Sequence, residues 1–199
     1  MQEGIWRRAA GLLLVMTLLC GVGYTLVVTV VSQVLFPAQA NGSVVQSHGN
    51  VYGSALLGQP FQDPAHLQGR IMQVDTDTFR DAQGHALLYA GPSNQSPASP
   101  QYKERVAQRV RVVQAENPAA GAEVPEELVT GSGSGLDPEI SPAAAQYQIP
   151  RIAAASGRSE AEVRSIIERY TTGRFLGVFG EPRVNVLKVN LALDGVLQR

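Results

Sequence analysis

The sequence predicts an α+β protein with one N-terminal transmembrane helix, residues 9–36, followed by a single mixed α+β extracytoplasmic domain, residues 37–199. Residues 1–8 form a cytoplasmic N-terminus in this prediction. Three observations support it: a long uncharged apolar run near the N-terminus, a series of helix-start signals beyond it, and a β-branched segment near the C-terminus. The part beyond the helix has the size of one compact domain.

The apolar run extends from Ala9 to Phe36, and its only ionisable group is the thiol of Cys20. About 20 apolar residues suffice to cross a bilayer as a helix, which pairs all of its backbone groups internally. Arg7 and Arg8 precede the run, whereas the first charge after it is Asp63. The positive-inside rule therefore places the N-terminus in the cytoplasm.

Two processing alternatives concern the same run. Ala38-Gln39-Ala40 has the form of a signal-peptidase site, but the apolar core of a cleaved signal has only about 7 to 15 residues. A lipid-modified Cys20 is disfavoured because bulky Leu19 precedes it and apolar sequence continues after it. A retained transmembrane helix is the preferred interpretation.

Small residues recur every four positions along one side of this helix, at Thr17, Gly21, Thr25 and Thr29. Small side chains let a second membrane helix approach closely. The spacing therefore favours a partner helix on this side, the alternative being that Gly and Thr are simply common in such helices.

The domain begins with turns and short strands between Pro37 and Gly69, and the segment from Asp75 to Leu88 carries no clear pattern. Ser99 and Pro100 then predict a helix start, and Asn117-Pro118 its end. The helix has an apolar face and a charged face that is solvated or, alternatively, meets an acidic partner. The apolar face consists of Tyr102, Val106, Val110 and Val113, and the charged face of Lys103, Glu104, Arg105, Arg109 and Arg111.

The C-terminal half contains further element signals. Ser141-Pro142 predicts another helix start, Pro150 a kink or restart, and Gly157 a stop. Ser159 and Glu162 form a capping box for a helix that ends at Gly173. The β-branched residues between Arg183 and Leu191 predict a strand.

Composition excludes several function classes. The chain has 16 Lys plus Arg and 17 Asp plus Glu, and Glu3, Arg7 and Arg8 precede the helix, so the domain is mildly acidic and lacks the basic stripe of a nucleic-acid binder. With Cys20 inside the helix, the domain has no disulfide and no cysteine-based metal site. The three histidines stand in separate loop-like segments, which favours exposed polar side chains over a metal triad: His48, His66 and His85.

The densest motif runs from Thr130 to Pro142 and includes Gly131-Ser132-Gly133-Ser134-Gly135. It lacks the Gly-Lys of a P-loop, and a hydrolase elbow would need a serine where Gly133 stands. A structural turn is favoured over an anion-binding concavity ahead of the helix at Pro142. The nearby acidic residues lack the repeat of oxygen ligands that a cation site needs: Glu126, Glu127, Asp137 and Glu139.

Several motifs together resemble the C subunit of the Kdp potassium-transporting ATPase. They are Leu128-Val129-Thr130 leading into the Gly-Ser segment and Asp137-Pro138, then Ile140-Ser141-Pro142, Tyr147-Gln148-Ile149-Pro150-Arg151, Phe36-Pro37-Ala38-Gln39-Ala40-Asn41-Gly42-Ser43, and Gly180-Glu181-Pro182-Arg183-Val184-Asn185-Val186-Leu187. The resemblance covers nearly the whole chain. Departures from the family pattern at residues 66–73 and 91–97 imply that subunit contacts made by those loops differ here.

The resemblance implies a single-pass, non-catalytic subunit of the bacterial inner membrane. Its partners would be a channel-like potassium-conducting subunit, a P-type ATPase subunit and a small membrane peptide, with potassium as the transported ion. The family is described as a catalytic chaperone that raises the affinity of the ATPase subunit for ATP. Carried over by position, a nucleotide or partner loop would comprise Ser132, Gly133, Ser134, Gly135 and Gln148.

The predicted topology and the family description conflict on ATP. A cytoplasmic N-terminus puts the Gly-Ser segment on the opposite side of the membrane from cytoplasmic ATP. Indirect coupling through the complex is therefore preferred over direct contact. Two other function classes stay open on the residues alone: a membrane-anchored external enzyme, and a ligand-binding protein released after Ala40.

Overall fold

The computed structural model of the chain describes residues 2–197, without the side chains of residues 2, 3, 76–78 and 88. Its first feature is a long helix composed of α1 (Gln2–Met16), a π-helical turn (Thr17–Gly23) and α2 (Tyr24–Leu35). The helix from Gly4 to Leu35 has 32 residues and contains an 18-residue window with a mean hydropathy of 2.3, so it is long and apolar enough to cross a membrane. The predicted apolar helix is confirmed.

The stripe of small residues on this helix crosses the π-helical turn. Thr17 and Gly21 remain neighbours, since a Cβ built on Gly21 would lie 3.9 Å from Cγ2 of Thr17. Thr25 and Thr29 lie in α2. No described part of the chain covers this helix, so the partner helix remains a prediction.

A short connector leads from the helix into the domain. It contains α3 (Pro37–Ala40), and the Asn41 amide donates to Gln33 at 3.0 Å. Two antiparallel strands follow, β1 (Val44–Ser47) and β2 (Asn50–Ser54). They confirm the short strands predicted in this region.

A second hairpin occupies the segment that had no clear pattern. It pairs β3 (Val74–Arg80) with β4 (Ala86–Ala90), so that Val74 faces Ala90 and Arg80 faces Ala86. The turn is closed by Asp81, whose carboxylate accepts hydrogen bonds from the His85 ring and from backbone N–H groups. The bond from the His85 side chain holds the pKa of Asp81 below its usual value.

The helix-start signals of the domain are confirmed. Ser99 caps α4 (Pro100–Glu116), Ser141 caps α5 (Pro142–Tyr147), and Ser159 forms the capping box of α7 (Glu160–Arg169). Between them, α6 (Ile149–Ser156) restarts the helix at Pro150 and ends at left-handed Gly157. The backbone N–H of Ser159 donates to Glu162, which lowers the pKa of that carboxyl.

Two predicted boundaries are wrong. Helix α7 ends at Arg169 rather than Gly173, because Thr171 and Thr172 join a sheet as β6 (Thr171–Thr172). The predicted strand from Arg183 to Leu191 is a strand only in β7 (Arg183–Asn185), and α8 (Val186–Leu193) follows it. Asn185 caps that helix by accepting from the N–H of Lys188 at 3.1 Å. Six of the eight residues of α8 are buried and five of these six are apolar, and a largely apolar run of this kind does not distinguish a buried helix from a strand.

The core of the domain lies between α4–α8 and a small antiparallel sheet. In this sheet β7 is the central strand, with β6 on one side and β5 (Glu139–Ile140) on the other. A 3-10 turn (Glu126–Leu128) precedes β5 in the chain. The largest fully buried side chains include six apolar ones: Leu67, Ile149, Ile152, Val163, Val184 and Val189. Gln148 and Asn190 are fully buried among them.

Candidate functional site

The Gly-Ser loop, defined here as residues 130–138, uses its serine hydroxyls to satisfy its own backbone. Ser132 is buried, and its Oγ accepts the N–H of Gly135 at 3.0 Å. Oγ of Ser134 lies 3.0 Å from Oγ of Ser132 and accepts the N–H of Leu136 at 3.2 Å. Two N–H groups that a phosphate cradle would offer to an anion are therefore engaged within the loop.

Gly135 joins this loop to the base of the β3–β4 hairpin. Its carbonyl accepts the N–H of Gln73 at 2.9 Å, and its φ is +74°. A Cβ at this position would lie 2.7 Å from the carbonyl oxygen of Gln73 and 2.7 Å from the backbone nitrogen of Gly91. Because Gln73 and Gly91 flank the hairpin, a residue without a side chain is required where the loop meets its base.

Two further segments attach to the same loop. The N–H of Gly58 donates to the carbonyl of Leu136 at 2.8 Å. The Arg70 guanidinium donates to the carbonyl of Gly131 at 3.0 Å and lies 3.4 Å from Asp137. The loop thus connects three parts of the chain that are distant in sequence.

Only the outer side of the loop faces solvent. Gly133 and Ser134 are exposed, and a Cβ added to Gly133 would have no neighbour within 4 Å. A ligand or partner approaching this loop would meet these two residues first.

Besides Asp137, two of the acidic residues around the loop have partners of their own. Glu139 pairs with Arg183 at 2.8 Å, and the carboxylate of Glu127 accepts the N–H of Ser141 at 2.8 Å. A carboxylate therefore already occupies the start of α5, the place where an anion-binding concavity was the alternative interpretation of the sequence. Such a neighbour disfavours a second anion by charge repulsion.

Gln148 lies in the core, and its amide spans two neighbouring segments. Oε1 accepts from the N–H of Gln68 at 2.9 Å and from Arg151 at 2.7 Å. Nε2 donates to the carbonyl of Gln68 at 3.0 Å and to that of Ala144 at 3.2 Å. All of the amide's usual hydrogen-bonding capacity is used inside the protein.

The side-chain amide of Asn190 binds the backbone of Leu67, the residue before Gln68, in the same way. Its Oδ1 accepts the N–H of Leu67 at 2.7 Å, and its Nδ2 donates to the carbonyl of Leu67 at 2.9 Å. Sequence reasoning missed this residue. The available signal was an amide in the middle of the apolar segment that forms α8.

Arg151 extends the network from Gln148 toward α4. Its Nε donates to the side chain of Asn117 at 3.0 Å, and Nη1 donates to the carbonyl of Pro64 at 2.5 Å. Burial lowers the pKa of Arg151, while the carboxylates of Glu116 and Asp63 act in the opposite direction. The resulting network holds residues 64–68 against α5 and α6.

A cleft of about 420 Å³ lies between α4 and the segment from Gln59 to Met72. Arg70 and Arg109 contribute positive charge to its walls, and Phe61 and Leu128 contribute apolar surface. Arg109 is half-buried and donates to the carbonyl of Val129 at 3.3 Å, so it departs from the solvated face predicted for α4. The serines of the Gly-Ser loop and Gln148 do not line this cleft.

The three histidines occupy separate places. His66 is only partly exposed, contacts Phe61 edge-on and lies 2.8 Å from the carboxylate of Asp194. His85 pairs with Asp81, and His48 stands in the turn between β1 and β2. Among the described residues, no three His, Cys, Asp or Glu side chains come together as a metal site would require.

Comparison with known proteins identifies the family. Residues 6–195 match the family described as KdpC: K+-transporting ATPase, c chain. The chain is 52% identical over 195 residues to the potassium-transporting ATPase KdpC subunit of Clostridium perfringens, with 98% of each chain covered. It is 49% identical over 193 residues to the subunit of that name from Sorangium cellulosum, covering 95% of this chain and 96% of the relative. The chain therefore belongs to the KdpC family of K+-transporting ATPase c chains.

Proposed function

We propose that this chain is a non-catalytic accessory subunit of an ATP-driven potassium uptake complex in a bacterial inner membrane. Membership of the KdpC family over nearly the full chain carries this proposal. Its partners are a channel-like potassium-conducting subunit, a P-type ATPase subunit and a small membrane peptide. The chain contributes to the assembly and stability of that complex, which transports potassium.

The N-terminal helix spans the membrane with its N-terminus in the cytoplasm. Arg7 and Arg8 stand at the start of the apolar segment, and no charged residue follows it before Asp63. Positive charge near one end of a span orients that end toward the cytoplasm. The domain from residue 37 onward then lies on the extracytoplasmic side.

Cysteine labelling tests this orientation. In a Cys20→Ala chain assembled in its complex, we expect Gly133→Cys to react with a membrane-impermeant maleimide in intact cells. Gly4→Cys should react only after lysis, because it lies at the cytoplasmic end of the helix. Both positions are exposed and have room for a side chain. The reverse labelling pattern would contradict the proposed orientation.

The subunit raises the ATP affinity of the ATPase subunit through conformational coupling, without touching ATP. Two features of the site support this mechanism: the serine hydroxyls cap the loop's own N–H groups, and the Gln148 amide is fully bonded within the core. A subunit that binds one conformation of its partner better shifts the partner toward that conformation and changes its affinity for other ligands.

The Ser134→Ala variant separates coupling from direct contact. Ser134 carries the exposed hydroxyl of the loop, so a direct phosphate contact would use it. Losing a hydrogen bond to a charged group costs about 1.5–3 kcal/mol, which would raise the KM for ATP about tenfold or more. We expect instead a change of less than about threefold in the ATPase assay of the purified complex. A tenfold rise in a complex of unchanged subunit composition would favour direct contact.

A further inference from the structure

The loop between β6 and β7 exposes large apolar side chains at its apex. Phe175, Leu176, Val178 and Phe179 are 71%, 76%, 71% and 64% exposed. We call residues 175–179 the apolar tip. A contiguous apolar surface of this kind on a loop marks a site of contact with another apolar phase.

The backbone of the apolar tip is largely satisfied by its own hydrogen bonds. Phe175 and Phe179 exchange N–H to carbonyl bonds of 2.8 and 2.9 Å. Gly177 donates to Arg174 at 3.1 Å, and Val178 donates to Phe175 at 3.2 Å. Four of the five N–H groups are therefore paired within the loop. Internal pairing is what backbone needs where water is scarce, as in the acyl region of a bilayer.

The base of this loop lies beside the end of the membrane helix. Thr171 and Thr172 line the same cleft, of about 380 Å³, as Gln39 and Ser43 of the connector. Gln39 is only four residues beyond Leu35, with the non-helical Phe36 between α2 and α3. The apolar tip begins three residues after Thr172. The base of the tip is therefore close, in space and along the chain, to the segment that follows the end of the helix.

Two unpaired basic residues lie beside the base of the tip. Arg169 and Lys188 line the same cleft as Gln39, and neither forms an ion pair within the part of the chain that the structure describes. Glu139 also lines this cleft, but its charge is paired with Arg183. Arg174 and Glu181 pair at 2.7 Å where the loop leaves the sheet. Cations at the level of the lipid headgroups, with apolar side chains below them, are typical of segments that bind the membrane interface.

We infer that the apolar tip inserts into the near leaflet of the bilayer and gives the domain a second membrane contact besides its helix. The basic residues at its base would then face lipid phosphates. This inference requires the N-terminal helix to span the membrane, but it does not depend on which side the domain occupies. A wrong orientation would therefore leave it intact.

Lipid-dependent quenching tests the inference on the full chain reconstituted without other subunits. A bimane fluorophore is attached to Leu176→Cys in a Cys20→Ala chain, in vesicles of phosphatidylethanolamine and phosphatidylglycerol. A nitroxide on the upper acyl chain of a trace lipid serves as the quencher. Phe36→Cys at the helix end is the membrane reference, and exposed Gly121→Cys is the aqueous control. We expect Leu176→Cys to be quenched about as strongly as Phe36→Cys and several-fold more than Gly121→Cys.

Two results would overturn the inference. One is quenching of Leu176→Cys no stronger than that of Gly121→Cys in a chain with unchanged helix content. The other is a change in the fluorescence of the label at Leu176→Cys that occurs only in the assembled complex and without lipid quenching, which would assign the tip to a protein partner.

The variant Phe179→Ser, labelled at Leu176→Cys, should lower the quenching because it removes apolar surface from the tip.

Discussion

Replacing Gly135 with alanine should destabilise the domain by about 2–4 kcal/mol. A left-handed φ costs a residue with a side chain about 1–2 kcal/mol. The new Cβ would also lie 2.7 Å from backbone atoms of Gln73 and Gly91, which cannot rotate away as a side chain would. We expect the denaturant midpoint of the full chain in detergent to fall, with hydrogen exchange rising first in β3 and β4.

Gly133→Ala is the matched control, two positions away in the same loop. Its Cβ would have no neighbour within 4 Å, and Gly133 does not have a positive φ. The change should therefore be neutral or stabilise the chain by up to about 1 kcal/mol through the unfolded state. Equal destabilisation by both variants would contradict the structural role assigned to Gly135.

Replacing Gln148 with alanine should cost about 3–5 kcal/mol of folding free energy. The variant leaves the N–H and carbonyl of Gln68 without their side-chain partner and removes one acceptor of Arg151. It also creates a cavity, because Gln148 is fully buried. Denaturant titration of the full chain in detergent would measure the loss.

Gln146→Ala, two residues earlier and within α5, provides the comparison. Gln146 is exposed, so its replacement should change the free energy of unfolding by no more than about 0.5 kcal/mol. If Gln148→Ala folded with normal stability yet raised the KM for ATP of the complex, Gln148 would be a ligand contact. A loss of stability with an unchanged KM in the assembled fraction would instead assign it to the core.

The sequence predicted most of the local structure because capping signals act over three or four residues. Ser99, Ser141 and Ser159 each accept a backbone N–H at the helix start where they were expected, and Gly157 ends α6 with a left-handed φ. The membrane helix was equally clear, since an uncharged run of this length has few alternative structures. These features depend on the chain alone.

Where competition between distant segments decides the structure, the sequence was insufficient. Val186 and Val189 are β-branched, yet the cap at Asn185 and the burial of six of its eight residues accompany a helix in α8. Thr171 was predicted to be helical, but in the structure it pairs with Val184 in the sheet. In both cases tertiary packing outweighs a weak local preference.

The motifs of the Gly-Ser segment and Gln148 were visible in the sequence and pointed to the KdpC family, but their physical roles were not. Only the tertiary structure places Gly135 against Gln73 and Gly91, and Gln148 against Gln68. The sequence by itself determined the membrane helix, its charge asymmetry and the helix caps, because these depend on neighbouring residues. The tertiary structure decided which segments each loop and buried amide connects, because these contacts join residues far apart in sequence: those of Gln148 and Asn190 span 80 and 123 positions.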